Sequence, residues 1–70
     1  MPRTPIYRTI VSDIRAKIAA GDLKAGDKLP SIAELAAQYS CGETAVKQAL
    51  GILAELGLTE GHQGRGTFVL

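Results

Sequence analysis

Apolar residues recur at helical spacing in three segments of this 70-residue chain. In the first segment Ile10, Ile14 and Ile18 follow one another at intervals of four, which predicts an amphipathic helix from about Ile6 to Ala20. Gly21 should end this helix, because glycine adopts the left-handed conformation found just after many helices at little steric cost. The chain therefore begins with one helix that has a single apolar face.

The second helical segment follows a loop rich in glycine and polar residues, from Gly21 to Pro30. Within this loop we expect a short extended piece at Lys28-Leu29 that can pair with a later strand. A helix should begin at Ser31, because Ser31 and Glu34 have the spacing of a capping box, in which each side chain bonds the amide of the other residue. It should stop near Ser40. Its apolar stripe consists of Ile32, Leu35, Ala36 and Tyr39.

A third helix is predicted from about Gly42 to Leu56, directly after a short turn. Its apolar side consists of Val46, Ala49, Leu50 and Leu53. Gly42 is an acceptable N-cap, and Ser40 with Glu43 offers a second way to start the helix, so both starts remain open. Two short helices joined by a glycine-containing turn have the spacing of a helix-turn-helix.

Beyond Gly57 the pattern changes from helical to strand-like. Residues 58–60 alternate with a period of two, residues 61–66 are polar and rich in glycine, and residues 67–70 favour β-structure. These features predict a β-hairpin with its tip between Gly61 and Gly66. Three helices followed by a hairpin form a winged helix-turn-helix, a mainly α fold with a small β-hairpin, and we expect one such domain over residues 1–70.

Composition excludes several classes of protein. Apolar residues make up 46% of the chain and aromatic residues 4%, so the core must be aliphatic, and disorder is excluded. The single cysteine, Cys41, cannot form an internal disulfide and is compatible with a reducing cytosol. No apolar run approaches the length of a membrane span and no signal-peptide pattern is present, so we expect a cytoplasmic protein with no membrane partner.

The residue clusters that catalysis or metal binding needs are missing from the sequence. His62 is the only histidine and Cys41 the only cysteine, and one of each cannot form a structural zinc site. We expect Cys41 to be a small buried apolar residue. Gly64 and Gly66 precede a strand instead of opening a helix, unlike a dinucleotide-binding motif. We therefore expect no enzymatic activity, no metal and no cofactor.

Polar side chains gather at the N-terminal end of the third helix, away from its apolar stripe. They are Glu43, Thr44, Lys47 and Gln48. In helix-turn-helix proteins the first residues of the second helix of the motif contact base edges in the DNA major groove. An ordinary amphipathic helix with a solvated polar face explains the same pattern, and the net charge of +1 is only weak support for a polyanionic partner. The neighbouring segments favour DNA binding.

Two further segments are expected to meet DNA beside this helix. Helix N-termini favour anions, so the amide of Ser31 should meet a phosphate. The hairpin tip should lie on the DNA backbone or in the minor groove, although a mobile turn without contacts explains its glycines equally well. Its candidate contacts are His62, Gln63, Gly64 and Arg65. The sequence leaves open whether its scattered cations converge on one face; these are Arg3, Arg8, Lys24, Lys28, Lys47 and Arg65.

The order and spacing of several short motifs resemble the N-terminal winged-helix domain of the GntR family of bacterial transcription regulators, and the opening segment, residues 5–10, resembles its HutC-type and YtrA-type branches. The motifs are Pro5-Ile6-Tyr7, Ile18 to Gly21 followed by Gly26 to Ser31, Glu34-Leu35-Ala36, Thr44 to Leu50, Leu53 to Leu58 and Gly64 to Val69. The resemblance implies a DNA-binding domain that is usually dimeric on a near-palindromic operator and acts by default as a repressor. It also implies that such a domain is often followed by a separate one, which would bind any effector ligand.

The resemblance carries DNA contacts over, position by position, to Thr44, Lys47, Gln63, Gly64 and Arg65. The chain departs from the family in places. Ile32-Ala33 stands where the family often has Glu-Arg, and Glu43 stands where an arginine commonly reads guanine. Lys47 replaces another common arginine, which keeps the charge but loses the bidentate geometry. Glu43 repels phosphate, although it can accept a hydrogen bond from cytosine N4 in the major groove.

Two functions remain open on this reasoning. The first is a sequence-specific transcription regulator that binds double-stranded DNA through the third helix, the Ser31 amide and the hairpin. The second is a protein-interaction or architectural module, such as an accessory factor in recombination or plasmid maintenance, with little DNA specificity. Lys47 and Arg65 favour the first, whereas Glu43 and the near-neutral charge favour the second.

Overall fold

The computed structural model describes residues 5–62 and 64–70, and its elements follow the predicted order. They are α1 (Ile6–Ala20), α2 (Ile32–Gln38), α3 (Glu43–Glu55), β1 (Thr59–His62) and β2 (Gly66–Val69). The bounds of α1 are those predicted, and Gly21 ends the helix in the left-handed conformation, with a φ of 84°. The predicted fold class, helices followed by a β-hairpin wing, is confirmed. No helix in the described ranges is long and apolar enough to cross a membrane.

The predicted capping box starts α2. The Glu34 amide donates to Ser31 Oγ over 3.1 Å, and the Ser31 amide donates to Glu34 Oε1 over 3.4 Å. The helix ends at Gln38, before the predicted stop near Ser40, because Ser40 has a φ of 51° and leaves the helical conformation. Of the two starts left open for α3, the structure has Gly42 as the N-cap, in an extended conformation.

The core lies between the helices and the hairpin, and it is aliphatic as the composition predicted. Its buried members are Ile10, Ile14, Leu29, Leu35, Val46, Ala49, Leu53 and Val69. The middle of this core is α3, which contacts α1, α2 and β1. Leu50, expected in the apolar stripe of α3, is only partly buried at the edge of the core, and so is Cys41, which was expected to be buried.

The hairpin of β1 and β2, residues 59–69, is called the wing below. Its strands are antiparallel, and His62 opposite Gly66 is the last pair before the tip. The predicted tip was too long: Gly61 and His62 belong to β1 and Gly66 begins β2, because the ladder continues as far as that pair. The Arg65 amide closes the turn by donating to the His62 carbonyl over 3.0 Å. Gln63 lies outside the described residues.

The loop between α1 and α2 pairs with the edge of β2 that faces away from β1. The Leu29 amide donates to the Thr67 carbonyl over 2.8 Å, and Lys28 lies opposite Phe68 in an isolated antiparallel bridge. This pairing confirms the extended piece predicted at Lys28-Leu29. Because Ser31 follows almost at once, the same pairing fixes the start of α2 next to the wing.

A backbone hydrogen bond holds the end of β2 next to the end of α3. The Leu70 amide donates to the Leu58 carbonyl over 2.9 Å. Leu56 and Leu70 are exposed large hydrophobic side chains, with 51% and 58% of their surface accessible. The C-terminal residue is therefore held at the end of α3 that lies away from Glu43.

A side-chain hydrogen bond joins the end of α2 to α1. The Tyr39 hydroxyl donates to Asp13 Oδ2 over 2.9 Å. Partial burial of the phenol, together with this bond to Asp13 and its negative charge, raises the pKa of Tyr39 from 10.0 to about 12. The bond depends on a protonated phenol, and it holds the last turn of α2 against α1.

Tyr39→Phe should lower the free energy of unfolding by about 1 kcal/mol, because the variant loses this hydrogen bond. For a domain of this size that corresponds to a fall in Tm of roughly 4 to 8 °C. The pKa of Tyr39 is higher in the folded than in the unfolded chain, so its contribution is fully present below pH 10.0 and is lost as the pH rises towards about 12. Denaturant unfolding at neutral pH and across this alkaline interval measures both effects. If Tyr39→Phe lost stability over that pH interval as steeply as the wild type, the Tyr39–Asp13 hydrogen bond would not be the cause of the loss.

Thr59, at the start of β1, is 2% exposed, and its Oγ1 has no hydrogen-bond partner among the described residues. A buried hydroxyl without a partner is destabilising. Thr59→Val keeps the shape of the side chain and should raise the free energy of unfolding by about 1 kcal/mol, as measured in urea. Thr67→Val, at a partly buried position on β2, is the control. An equal gain in stability there would mean that the preference of valine for strands, and not the buried hydroxyl, causes the effect.

Candidate nucleic-acid interface

The N-terminal end of α3 exposes the polar side chains that the sequence singled out. These are Glu43, Thr44, Lys47 and Gln48, which we call the recognition end of α3. Val46 and Ala49, interleaved with them in the sequence, have no exposed surface. Core packing therefore decides which face of the helix is presented. In the described part of the chain none of the four makes a side-chain hydrogen bond or ion pair, so their donors and acceptors are available to a partner.

The recognition end carries one negative and one positive charge. Glu43 lies in the first turn of α3, where the helix dipole stabilises an acidic side chain whether or not a ligand is bound. Lys47 follows one turn later, on the same side of the helix. Gly42 provides no side-chain cap for the amides of the first turn. The side chains that this end offers to a partner for hydrogen bonding are thus Thr44, Gln48 and Lys47, beside the carboxylate of Glu43.

Ser31 is exposed at the start of α2, but its polar groups already serve the capping box. Its Oγ accepts from Glu34, and its amide donates to the Glu34 carboxylate over a long 3.4 Å. A phosphate at this amide would have to displace or share that carboxylate. The amides of Ile32 and Ala33 lie in the first turn, where a helix has no internal acceptors for them. The contact predicted for Ser31 stays a prediction.

A groove runs between the start of α2 and the wing. One side is formed by residues 30–33, and the other by Gly61, His62, Gly64, Gly66 and Thr67. The fold thus brings Ser31 together with two of the wing residues that the sequence named, His62 and Gly64. Ile32 and Ala33, which replace the family's common Glu-Arg, line the same groove and add no charge to it.

The wing presents its candidate contacts in different ways. His62 is held over the hairpin: its Nε2 lies 3.5 Å from Glu60 Oε2, and its ring meets Phe68 edge to face at 5.7 Å. This acidic neighbour offsets any positive charge on the imidazole. Gly64 and Arg65 are exposed at the tip, and Gly64 has the positive φ, 79°, that favours glycine there. Among the described residues of the wing, Arg65 is the cation exposed at the tip.

The structure adds one residue that the sequence named only among scattered cations. The side chain of Lys28 crosses the start of β2, where a Cβ on Gly66 would lie 2.8 Å from Lys28 Cε. The signal in the sequence was indirect, since the extended piece at Lys28-Leu29 was predicted without the strand it would meet. Lys28 therefore lies against the wing, although in the sequence it is part of the loop between α1 and α2.

Other chemistry has no support among the described residues. No group of three histidine, cysteine, aspartate or glutamate side chains there could hold a metal ion. Cys41 is partly buried in the turn between α2 and α3 and is a free thiol.

The helices, the turn between α2 and α3, and the wing define a winged helix-turn-helix domain. The family model described as bacterial regulatory proteins of the gntR family matches residues 6–69. The chain belongs to this family, which consists of regulators and not enzymes. The resemblance seen in the sequence motifs is thereby confirmed.

Relatives and solved structures agree with this assignment. The chain is 42% identical, over 69 residues, to the Mannosyl-D-glycerate transport/metabolism system repressor MngR of Escherichia coli, covering 99% of this chain and 29% of that protein. It is 38% identical to the transcriptional repressor YtrA of Bacillus subtilis, covering 94% of this chain and 51% of the relative. The chain thus spans about half or less of these relatives.

The crystal structure of the AraR DNA-binding domain in complex with operator ORR3 has the same fold. Its TM-score is 0.94 at 30% sequence identity, over 99% of this chain and 83% of that one. The chain therefore shares its fold with a domain that has been crystallised on operator DNA.

Proposed function

We propose that this chain is the sequence-specific DNA-binding domain of a bacterial transcription regulator, that it acts as a repressor in the cytoplasm, and that it binds a near-palindromic operator as a homodimer. The observation that carries the proposal is the recognition end of α3, which core packing presents at the surface with no partner among the described residues. The fold shared with an operator-bound AraR domain and the names of the repressors MngR and YtrA support it.

The recognition end supplies the base contacts in this proposal. Thr44, Lys47 and Gln48 have the donors and acceptors that meet base edges in the major groove, and Glu43 accepts from cytosine N4. Ser31, in the groove that it shares with the wing, and the wing itself, through His62, Gln63, Gly64 and Arg65, contact the backbone or the minor groove beside the recognition end. Since phosphate contacts position a domain and base contacts select the sequence, specificity comes from α3.

Dimer formation follows from the small surface that one winged domain can bury. A single module of this kind covers a limited area of DNA, and two copies on linked half-sites bind far more tightly than one. Where the domain forms part of a longer regulator, dimer contacts and any effector ligand belong to a further domain. The greater length of MngR and YtrA is consistent with that arrangement.

Selection from random DNA duplexes, followed by a salt titration on the enriched site, tests the proposal with the 70-residue protein. We expect an enriched motif of two related half-sites, about 34 Å apart or a multiple of that distance. We also expect log K to fall linearly as log salt rises, because phosphate contacts release counterions. Absence of binding to any duplex at low salt would refute DNA binding.

Glu43→Arg should tighten binding to non-operator DNA and steepen the salt slope by about one, because a carboxylate facing phosphates becomes a cation. Glu55→Arg is the matched control, since it makes the same charge change at the other end of α3 and should leave the affinity near that of the wild type. Fluorescence anisotropy with both variants measures the difference. Equal tightening by the two variants would contradict the placement of the recognition end in the groove. Weaker binding of Glu43→Arg to the enriched site alone would identify Glu43 as a base contact.

A protein-interaction or architectural module is the second candidate, and specific observations favour it. Glu43 cancels the charge of Lys47 at the recognition end, and Glu60 lies beside His62 on the wing. On this alternative the recognition end binds an uncharged or mixed-charge protein surface. Loss of all DNA binding at low salt, in a folded protein, is the result that would favour it.

A further inference from the structure

Lys28 lies on the outer face of the wing. Residues directly opposite one another in an antiparallel pair project on the same side of a sheet, so Lys28 shares a face with Phe68. The ring of His62 packs against Phe68 on that face. The other side of the hairpin is turned towards the core, where Thr59 and Val69 are buried. Lys28 thus extends the solvent-facing surface of the wing by one side chain from another part of the chain.

The stem of Lys28 runs towards the tip of the wing. Its Cε lies 2.8 Å, and its Nζ 3.7 Å, from the position that a Cβ of Gly66 would occupy. The glycine at this position makes room for the lysine stem, which any larger residue would displace. Gly66 directly follows Arg65 in the chain. The ammonium group of Lys28 therefore lies at the base of the wing tip, next to the residue that bears the Arg65 side chain.

Within the described residues the ammonium group of Lys28 has no acidic partner. The ion pair found there joins His62 and Glu60 instead. A cation that is held against a strand and is not neutralised loses less side-chain entropy when it binds an anion than a freely moving lysine does. An ammonium is a compact point charge with rotatable donors, which suits a phosphate oxygen better than the paired acceptors of a base edge.

We propose that Lys28, packed across Gly66, binds a DNA phosphate beside the wing tip and is a positioning contact that does not select the sequence. This inference rests on the proposed DNA-binding function and adds to it a contact from the loop between α1 and α2. It compensates in part for the charge that is missing at Ala33 and Glu43. The contact raises affinity for all duplexes alike.

Lys28→Gln tests the inference, with Lys24→Gln as the matched control. Lys24 lies in the same loop, and the variant makes the same charge change there. Lys28→Gln should reduce the salt slope by about one, with the enriched DNA motif unchanged. A rise in salt from 50 to 200 mM should therefore weaken the wild type roughly three- to fourfold more than it weakens Lys28→Gln. Lys24→Gln should behave as the wild type does.

A second measurement uses the unaltered protein and does not depend on how well a variant folds. Acetylation of lysines with acetic anhydride, followed by mass spectrometry, should slow at Lys28 and not at Lys24 when duplex DNA is added. Binding of the wild type to DNA, together with equal salt slopes for both glutamine variants or unprotected acetylation at Lys28, would overturn this inference alone. No DNA binding by the wild type would overturn the proposed function and the inference with it.

Discussion

The orientation of α3 depends on one constraint, namely that its apolar face must fill the middle of the core. Val46, Ala49 and Leu53 have no exposed surface, and the helix contacts α1, α2 and β1. With 3.6 residues per turn, burying these positions fixes the rotation of the helix about its axis. The direction of the recognition end is a consequence of that packing, and so it requires no hydrogen bonds of its own to hold it in place.

Local features of the sequence were sufficient to locate the helices. Gly21 marks the end of α1 and the Ser31 capping box marks the start of α2, and each signal acts over a few neighbouring residues. The hairpin tip was predicted less well. Gly61 and Gly66 favour a turn by composition, yet they continue the ladder, because the register of the two strands decides where pairing ends.

Other parts of the structure depend on contacts between residues far apart in the chain. Tyr39 bonds Asp13 from another helix, and Lys28 meets Gly66 from another element. Such pairs exist only after the elements have packed, so no periodicity or spacing encodes them. The contacts carried over by resemblance, such as Thr44 and Gln63, are of a different kind, because they depend on a partner that the chain does not contain.

The hydrogen bond between Leu70 and Leu58 has a mechanical consequence. It places the chain's exit at one end of α3, while the recognition end lies at the other, roughly 20 Å away along a helix of 13 residues. In a regulator that continues past Leu70, any rotation about this exit carries the whole domain with it, because α3 is packed against α1, α2 and β1. The recognition end would then move by roughly a third of an ångström for each degree of rotation, because it lies one helix length from the exit.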